Sequence, residues 1–455
     1  MNGKCRSAKV DLAKAQEAAR SVDLKRGVVG RRIFSDEEIF QMELQQIFAR
    51  CWLYLAHESQ IASPGDYVNI NMGQEPVLVC RDRDGKIHAF INSCTHRGNS
   101  VCRADMGNTK SFVCPYHGWS YDTQGRLVGV PGHDTLYHGE LKQEEWGLGK
   151  VAQVASYQGL IFGNFDPEAP PLEEYLGDIR WGLDLLFEQG DFVAVPGTVR
   201  WVMDCNWKFP ADNSIGDMYH ADITHRSAIL VGHAQGTGTQ KGYDGKMIPY
   251  NKRYLDGFTV VAEYGHGFTA NYTMEGEIDL NSPLSKWRTN PEVQRRLGPT
   301  RSRVNRANIN VFPNLFVNSG SRELMLHNPL GVAETEAWKT ILVDKNLPPE
   351  VQRMQVGASN RHFGPAGIFE QDDGENWVQS TAAAGTPVSR RYDLNYAMGL
   401  GKGEIVPGQN GEPPRVETLV NEHAQLWLYR CWSEYMGASS WAELKENHSR
   451  PEGIL

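Results

Sequence analysis

The sequence predicts an α+β protein that contains a small all-β domain. Between residues 51 and 171, short runs alternate apolar and polar residues and are separated by turn dipeptides, which is typical of strands. From residue 172 onward, helical segments mix with strands without a regular strand–helix–strand alternation, which favours α+β over a doubly wound sheet. At 455 residues the chain also exceeds the size at which one hydrophobic core usually keeps growing, so at least two domains are expected.

Composition and charge exclude several classes of function. The net charge is −9 and no long basic run occurs, so neither nucleic acid nor an anionic membrane is an expected partner. Apolar runs such as residues 159–165 are too short to span a bilayer, and the N-terminus lacks the apolar segment of a secretory signal. The eight cysteines are scattered, which indicates thiols and metal ligands rather than disulfides, and the expected location is the cytoplasm.

The N-terminal region is predicted to be helical. The first 30 residues have the pattern of a helix with a polar face. Ser35 fits the N-cap of a second helix, because Glu38 three residues later can complete a capping box. Apolar residues recur at helical spacing behind this cap, so the second helix is expected to run to about Arg50.

The remaining elements follow from periodicity and turn residues. Two β-hairpins are predicted, at residues 77–92 around the turn dipeptide Asp84-Gly85 and at residues 119–130. Further elements are predicted as helices over 172–187, 348–363 and 416–436, and as strands over 309–319 and 336–344. The glycine-rich stretches 234–246 and 399–403 are expected to be surface loops, because neither matches a phosphate-binding loop.

Four ligand-type residues stand in two pairs, Cys94-x-His96 and Cys114-x-x-His117. Zinc sites generally pair cysteine with cysteine and histidine with histidine along the chain. A Rieske [2Fe–2S] cluster instead takes two cysteines on one iron and two histidines on the other, so one of each per loop fits it. The order predicts a Rieske cluster, with a zinc site and metal-free buried side chains as the alternatives. A glycine follows each pair, at positions 98 and 118, where backbone amides can approach the cluster.

A second constellation is Asp217-x-x-His220-x4-His225. The spacing predicts Asp217 and His220 on one helical face. His220 and His225 would lie about 140° apart on a straight helix, so they can share an ion only if the helix distorts or ends between them. A carboxylate would complete the facial triad of a non-haem iron oxygenase. Four acids at 364–377 are candidates, and spacing alone does not choose among Glu370, Asp372, Asp373 and Glu375. Histidines without a metal are the alternative.

These motifs resemble the large subunit of Rieske non-haem iron aromatic-ring-hydroxylating dioxygenases, in the naphthalene and biphenyl dioxygenase group. The resemblance rests on CTHRG, CPYHGW, CNWKFPADNSIGDMYHADITH and FGPAGIFEQDDGENW. It implies that Cys94 and Cys114 bind the outer cluster iron and that His96 and His117 bind the inner one. For the mononuclear iron it implies the ligands His220, His225 and Asp373, with Asp217 bridging to a cluster histidine of a neighbouring subunit and Asn213 close to the iron.

The resemblance also implies an architecture and partners. A Rieske domain over residues 51–171 would be inserted in a catalytic domain of residues 1–50 and 172–455, built on an antiparallel sheet with covering helices. Large subunits of this family form a head-to-tail ring with small β subunits, usually as α3β3. Electrons come from NADH through a reductase and a ferredoxin, and dioxygen is the co-substrate. The sequence has no G-x-G-x-x-G after a strand, which fits an external reductase.

The substrate implied by the resemblance is an aromatic compound. The pocket would be lined by Asn213, Met218, Ala221, Asn308, Phe363 and Phe369. Small residues at Ser214 and Ala221, and phenylalanine in place of a tryptophan at Phe369, indicate a polycyclic hydrocarbon of three or more rings, converted to a cis-dihydrodiol, unless other residues compensate the volume. The alternatives are a monooxygenase acting on an aromatic acid such as salicylate, with Arg306 as the residue to watch, and an electron-transfer Rieske protein.

Overall fold

The computed structural model describes residues 10–230, 255–273 and 280–455, so the glycine-rich stretch 234–246 lies outside the described residues. Within them the chain divides into two compact units. One unit comprises residues 48–172, and the other comprises residues 11–47 together with residues from 173 to the C-terminus. The first unit is built on strands, and the second combines helices with an antiparallel sheet, which confirms the predicted α+β class.

The first unit contains three antiparallel sheets. In order of pairing, they are Ile87–Ile91, Glu75–Arg81, Asp66–Met72 and Met106–Asn108; Leu127–Gly129, Ser120–Asp122 and Ser111–Val113; and Gln153–Tyr157, Leu160–Asn164 and Leu53–His57. A short α-helix, His133–Leu136, and the 3-10 helices Glu58–Ile61 and Gln143–Glu145 accompany them. Both predicted hairpins are present, and Gly85 adopts a φ of +83° in the turn of the first. This conformation is what the Asp-Gly pair predicts.

An antiparallel sheet of eight strands forms the centre of the second unit. Seven strands pair in the order Phe192–Ala194, Glu334–Asp344, Glu323–Gly331, Leu315–Asn318, Val304–Val311, Gly267–Tyr272 and Gly257–Val261, and Val199–Met203 also pairs with Glu334–Asp344. A separate small sheet joins Val22–Asp23, Val28–Gly30 and Asp393–Asn395. The described α-helices of this unit are Leu12–Ala19, Glu37–Glu43, Leu172–Leu176, Ile179–Phe187, Lys208–Ser214, Ala221–Thr224, Arg226–Leu230, Pro291–Arg301, Pro349–His362, Ile368–Gly385, His423–Gly437 and Trp441–Asn447.

The two faces of the eight-stranded sheet differ in chemistry. Across four neighbouring strands, one face presents the apolar row Phe268, Ile309, Val317 and Leu324. The helix Ile179–Phe187 packs there, with Gly182 against Phe268 and Ile309. The next residues along the same strands form a polar row on the opposite face, Thr269, Asn308, Asn318 and Glu323. Because neighbouring residues of a strand point to opposite faces, one sheet serves a dry core and a polar layer.

Several N-terminal expectations are wrong in detail. Asp36, rather than Ser35, is the N-cap: its carboxylate accepts hydrogen bonds from the amides of Glu38 and Ile39. The Ser35 hydroxyl instead donates to the carbonyl of Ala384, so a contact distant in sequence decides between two adjacent capping residues. The helix that follows is α-helical over Glu37–Glu43 and continues as a π-helix over Leu44–Phe48. The first 30 residues contain a helix only at Leu12–Ala19, followed by two short strands.

Other expectations are corrected in length. The predicted strand 309–319 is two antiparallel strands with a turn at residues 312–314. The predicted helix 172–187 is two helices separated at Gly177, which has a φ of +46°. The C-terminal helix begins at His423 rather than near residue 416. The strand at 336–344, the helix at 348–363 and the turn at 399–403 are confirmed. None of the helices in the described ranges has the length and apolar character that crossing a membrane requires.

Candidate metal sites

The two Cys/His pairs lie on two loops with the same backbone geometry. In the first loop the amide of Gly98 donates to the carbonyl of Cys94 (2.7 Å), and the Cys94 amide donates to the carbonyl of Asn99 (2.9 Å). In the second, Gly118 donates to Cys114 (3.0 Å), and Cys114 donates to Trp119 (2.8 Å). Each loop therefore closes by the same two hydrogen bonds at the same offsets. Each presents its cysteine at the first position and its histidine two or three residues later.

The glycines of these loops are required by the turn. Gly98 and Gly118 have φ values of +76° and +75°, in the left-handed region that favours glycine. A Cβ at position 118 would also stand 3.0 Å from a ring carbon of Pro131. The second loop is the tip of the hairpin between Ser111–Val113 and Ser120–Asp122, whereas the first simply follows the strand Ile87–Ile91.

Burial reverses the expected order of the cluster ligands. Cys94 and Cys114 are only 3% and 2% exposed and belong to the core of the first unit. His96 is partly buried and His117 is exposed, with 4.6 Å between their ring centroids. The cysteines are therefore the inner pair and the histidines the outer pair, so the expected outer and inner assignment is wrong. The aromatic core encloses the sulfur atoms, while the two imidazoles reach the surface of the unit.

Hydrogen bonds prepare Cys114 to act as a thiolate. Burial opposes ionisation of Cys114, but hydrogen bonds from the amides of Tyr116 and His117 and from the Cys94 thiol together lower its pKa. The phenol of Tyr121 lies 3.2 Å from the Cys94 sulfur. Donors arranged around a sulfur stabilise the anion that a metal needs as a ligand.

The donor atoms fit a two-iron cluster better than a single ion. The Nδ1 atom of His96 is buried and has no hydrogen-bond partner among the described residues, so its lone pair is available. A single tetrahedral zinc ion would hold all four donors within about 3.8 Å of one another. The donor atoms of Cys94, His96, Cys114 and His117 do not all lie within even 4.8 Å of one another in the described structure. The wider spread leaves room for two metal atoms with bridging sulfides.

The second site follows a point, at Gly216, where the backbone packs closely against the polar face of the sheet. The helix Lys208–Ser214 ends before Gly216, which has a φ of +124°. A Cβ at this position would overlap the Thr269 side chain, so only glycine allows this approach. The following residues are irregular, and the next helix is the single turn Ala221–Thr224.

His220 and His225 flank that single turn. The helix ends between them, which is the condition that their spacing imposed. The expectation that Asp217 and His220 share a helical face is wrong, because residues 216–219 are not helical. Their contact comes from a turn instead. One Asp217 oxygen accepts from the amides of Tyr219 (2.9 Å) and His220 (3.2 Å), and the other lies 3.2 Å from His220 Nδ1.

Asp373, from the helix Ile368–Gly385, completes a triangle of donor atoms with the two histidines. The two histidine Nε2 atoms are 3.2 Å apart, and Asp373 Oδ1 lies 3.3 Å from His220 Nε2 and 3.4 Å from His225 Nε2. Ligands at about 2.1 Å from an octahedral ion and at right angles are about 3.0 Å apart. Asp373 Oδ1 is buried and has no hydrogen-bond partner among the described residues. The three donors therefore fit one face of an octahedral metal.

The structure distinguishes the four acids that spacing left open. Asp373 alone joins the two histidines in a set of ligand atoms within 4.8 Å, among the residues described. Asp372 lies 3.2 Å from Nδ1 of His225. Glu370 is buried, and Glu375 accepts a hydrogen bond from Gln379 (2.9 Å). The sequence analysis missed the role of Asp372 beside His225, and the only signal for it was the adjacent pair of aspartates.

Each histidine is oriented by a carboxylate on its outer nitrogen. His220 Nδ1 faces Asp217, and the Asn213 amide nitrogen lies 3.3 Å from the same atom. His225 Nδ1 faces Asp372. With the hydrogen on Nδ1 directed to a carboxylate, the lone pair of Nε2 is left for the metal, and the ring orientation is fixed.

The charges around the site favour a cation. Burial lowers the pKa of His220, but the carboxylates of Asp373 and Asp217 outweigh it and raise the pKa to about 10. The pKa of His225 is lowered, chiefly by burial. The pKa of Asp217 is lowered despite its burial, because His220 and two amides stabilise the carboxylate. Three carboxylates around two imidazoles therefore form a site whose charge a metal ion balances.

The expected pocket residues fall in two clusters. The Phe369 ring centroid is 4.7 Å from that of His225 and 6.1 Å from that of Phe363. Met218 is buried in a second cluster that includes Ala221, Met398, Leu419 and Val420. Asn308 lies 3.9 Å from the Met218 sulfur, and Arg306 precedes it by two residues on the same strand face. Of these contacts, the one between Phe369 and His225 reaches a histidine of the triangle.

Comparison with known proteins identifies both units. A family model described as the Rieske [2Fe-2S] domain matches residues 51–156. A second, described as the ring hydroxylating alpha subunit (catalytic domain), matches residues 172–431. Together these matches cover the residues of both candidate sites.

Relatives match over nearly the full chain. The α subunit of biphenyl 2,3-dioxygenase from Rhodococcus jostii (strain RHA1) is 35% identical over 441 residues, covering 94% of this chain and 93% of that protein. The large oxygenase component of the naphthalene 1,2-dioxygenase system from Pseudomonas putida is 36% identical over 427 residues, covering 92% and 93%. Among solved structures, a variant of naphthalene 1,2-dioxygenase bound to phenanthrene superposes with a TM-score of 0.86 at 34% identity, covering 94% and 96%.

These relatives are ring-hydroxylating dioxygenases and large components of multicomponent systems. They do not favour the salicylate monooxygenase or the electron-transfer alternative. Their family uses a Rieske [2Fe-2S] cluster, mononuclear iron and dioxygen, and the donor sets of both sites fit these groups. The chain belongs to the Rieske non-haem iron aromatic-ring-hydroxylating dioxygenases, as a large oxygenase subunit.

Proposed function

We propose that this large subunit adds both atoms of dioxygen to one ring of a polycyclic aromatic hydrocarbon and releases a cis-dihydrodiol. The reaction balances as arene, dioxygen, two electrons and two protons giving the dihydrodiol. The observation that carries the proposal is the triangle of His220, His225 and Asp373, because three donors on one face leave the opposite positions of a metal open.

We assign the metal ligands as the motifs and the geometry indicate. Cys94, Cys114, His96 and His117 hold the cluster, and His220, His225 and Asp373 hold the iron. When bound, the cluster supplies single electrons and the iron supplies the position at which dioxygen is reduced. The residues of the chain bind and orient these groups and the substrate, and they exclude water from the reacting ring.

Asp217 is assigned as the bridge to a cluster histidine of a neighbouring subunit. Its carboxylate already orients His220, and its side chain remains 27% exposed, so a second subunit can reach it. On the cluster unit the matching group is His117, which is exposed. Asn213 lies next to the same histidine nitrogen and is assigned as a residue close to the iron.

The Asp217→Asn variant tests the bridge. We expect it to keep two cluster irons and one mononuclear iron per chain, and to lose product formation by at least about 100-fold, since asparagine replaces one of the two acceptor oxygens by an NH2 donor and removes the charge. Iron analysis and the visible spectrum report the metals, and product yield reports the electron path. Normal turnover by this variant would show that the bridge assignment is wrong.

The side chains around the triangle support a flat apolar substrate. Phe363, Phe369, Met218 and Ala221 supply apolar and aromatic contacts, while Asn308 marks the polar edge. The side chains of Ser214 and Ala221 are small and leave space for a substrate. The Ser214 hydroxyl donates a hydrogen bond to the carbonyl of Pro210. Related enzymes are named for naphthalene, biphenyl and chlorobenzene, and one superposed structure holds phenanthrene. We therefore propose a substrate with three or more fused rings.

The partners and boundaries are proposed on the same basis. We propose a small β subunit in an α3β3 assembly, a ferredoxin and an NADH-dependent reductase, since relatives are named as large components of dioxygenase systems. The proposed location is the cytoplasm, where NADH is supplied. We propose a Rieske domain at 51–171 within a catalytic domain of 1–50 and 172–455, which the division of the described chain near residues 48 and 172 supports.

Product analysis with isotopically labelled dioxygen tests the function. The complete system is supplied with two-, three- and four-ring hydrocarbons and with salicylate. We expect a cis-dihydrodiol with two labelled oxygen atoms, formed fastest from a hydrocarbon of three or more rings. One labelled atom in a hydroxylated salicylate product would establish the monooxygenase instead. A chain that binds two irons rather than three and forms no product would be an electron carrier.

A further inference from the structure

A buried ion pair lies on the polar face of the sheet and contacts the backbone of Phe363, a residue of the proposed pocket. Lys339 on the strand Glu334–Asp344 and Glu323 on the neighbouring strand Glu323–Gly331 are both fully buried. The Lys339 ammonium lies 3.1 Å from the Glu323 carboxylate, and the Ser359 hydroxyl also donates to that carboxylate. None of these residues carries a role in metal binding, so their place in the fold needs another explanation.

Lys339 holds the end of a helix that carries a pocket residue. Its ammonium donates to the carbonyl of Ser359 (3.0 Å) and to the carbonyl of Phe363 (2.7 Å). These carbonyls belong to the last turn and the C-cap of the helix Pro349–His362, where backbone carbonyls lack partners within the helix. A positive charge at this position is also favoured by the helix dipole.

The chain that follows is a tight turn anchored at this point. Gly364 has a φ of +100°, and a Cβ there would stand 3.4 Å from Lys339. Gly367 donates to the carbonyl of Gly364 (2.8 Å), and a Cβ on Gly367 would overlap the backbone of Phe363. The helix Ile368–Gly385, which carries Phe369 and Asp373, begins immediately afterwards. The lysine therefore fixes one end of a rigid connection between a pocket wall and an iron ligand.

We propose that Lys339 is a positioning residue that sets the orientation of Phe363 and the start of the helix of Asp373, and so determines which ring edge of the substrate faces the iron. The proposal rests on the function proposed above. A shift of the Phe363 backbone at its carbonyl would reorient the Phe363 ring. The centroid of this ring lies 6.2 Å from that of Phe316 and 6.1 Å from that of Phe369. A displacement of about 1 Å in the position of a reacting group can lower the reaction rate about 100-fold.

A second buried pair in the same unit supplies a matched control. Lys208 donates to Glu43 (2.6 Å), and both side chains are fully buried. The indoles of Trp207 and Trp432 donate to the same carboxylate, both at 2.8 Å. This pair joins packed helices, and these hydrogen bonds run between side chains rather than to the carbonyl of a pocket residue. Loss of a buried lysine should destabilise the protein in either case, so only the first pair should alter product geometry.

The test compares Lys339→Met, Lys339→Met with Glu323→Gln, and Lys208→Met in the complete system. The double substitution removes the carbonyl hydrogen bonds without leaving an unpaired buried carboxylate. For a three-ring hydrocarbon we expect both Lys339 variants to change the ratio of regioisomeric dihydrodiols by about fivefold or more, and to raise KM more than they lower kcat. Lys208→Met should lower the melting temperature and keep the ratio within about twofold. Lys339→Arg, which keeps a positively charged donor, should give a ratio of regioisomers close to that of the wild type.

Two further readouts separate the possible failures. Iron analysis should show three irons per chain in each variant, and hydrocarbon binding measured without turnover should weaken only in the Lys339 variants. A folded, iron-loaded Lys339 variant with an unchanged product ratio and unchanged binding would overturn the proposal. A wild-type protein that forms no dihydrodiol would instead overturn the proposed function, and hydrocarbon binding would still test the role of Lys339.

Discussion

The two metal sites are held in different ways. The cluster site consists of two copies of one loop, and each loop closes by hydrogen bonds between residues four and five apart, from Cys94 to Asn99 and from Cys114 to Trp119. The iron site takes its donors from both ends of a single helical turn and from the distant helix Ile368–Gly385. The geometry of the first site is therefore local, whereas that of the second depends on how helices pack on the polar face of the sheet.

The surroundings of the two sites differ in charge as well. Around the cluster cysteines the stabilising groups are backbone amides, a phenol and an amide side chain. Around the iron histidines they are the carboxylates of Asp217, Asp372 and Asp373. Neutral donors suit a centre that changes charge by one electron and keeps its ligands. Carboxylates suit a cation that must keep open positions for an exchanging ligand.

The largest expected effect is the loss of one metal centre without the other. His225→Ala removes one corner of the donor triangle, so we expect loss of the mononuclear iron and a fall in product formation of more than about 1000-fold. The visible spectrum of the cluster should be unchanged. Cys114→Ser is the matched variant: it should abolish the visible spectrum and leave one iron per chain. If either substitution removed both metals, the two sites would not be independent.

A second comparison uses one glycine from each site. Gly216→Ala must fit a side chain against Thr269 at a φ of +124°, and we expect destabilisation of about 3 kcal/mol or more together with weaker iron binding. Gly98→Ala meets no atom closer than 3.8 Å and should cost about 1 kcal/mol. Denaturant unfolding of both variants gives the difference. Equal losses would show that the turn conformation, rather than the close approach to the sheet, is decisive at both sites.

A smaller effect is expected from the partner of His225. Asp372→Asn keeps the shape of the side chain but removes the charge that faces His225 Nδ1. We expect iron affinity to fall about tenfold to 100-fold, as for other groups that orient a ligand. Competition with a chelator measures the affinity, and Glu375→Gln, on an exposed part of the same helix, is the control. An unchanged affinity in Asp372→Asn would mean that packing alone orients the histidine.

The smallest effect on the site is expected from Asp212, which precedes Asn213. Burial raises its pKa to about 7, although the phenols of Tyr396 and Tyr429 donate to it at 2.7 and 2.8 Å. The folded protein therefore keeps a proton that the unfolded chain loses near pH 4, so stability falls as pH rises from about 4 to 7.

Asp212→Asn tests that slope. We expect the variant to lose up to about 1.4 kcal/mol of dependence per pH unit within this window, with little change in iron content. Unfolding free energies measured at several pH values give the slope for both proteins. An identical slope in the wild type and the variant would assign the pH dependence to other groups.

Much of the local structure was predictable, because its determinants are close in sequence. The Asp84-Gly85 hairpin and the pairing of one cysteine with one histidine per loop depend on a few adjacent residues. The burial order of the cluster was not predictable, because the motif does not say which side faces the aromatic core. The prediction of Ser35 as the N-cap was wrong for a similar reason. Asp36 can cap a helix equally well, and the hydrogen bond of Ser35 to Ala384 leaves Asp36 as the cap.

The iron site shows where sequence reasoning ends. Spacing offered four acids, and only the packing of the helix Ile368–Gly385 selects Asp373 and turns Asp372 toward His225. The expected helical face at Asp217 failed because Gly216 breaks the helix where it meets Thr269 on the sheet. Both outcomes depend on contacts between segments far apart in sequence, which periodicity cannot report.

The alternating sheet has a consequence for how such an enzyme can diversify. Ile309 and Val317 point into the dry packing layer, while their strand neighbours Asn308 and Asn318 hydrogen-bond to each other on the opposite side. A replacement in one layer leaves the backbone register and the other layer in place. Substitutions of Asn308 or Asn318 can therefore change the polar layer without altering the residues that pack against the helix Ile179–Phe187, because adjacent positions of one strand face different layers.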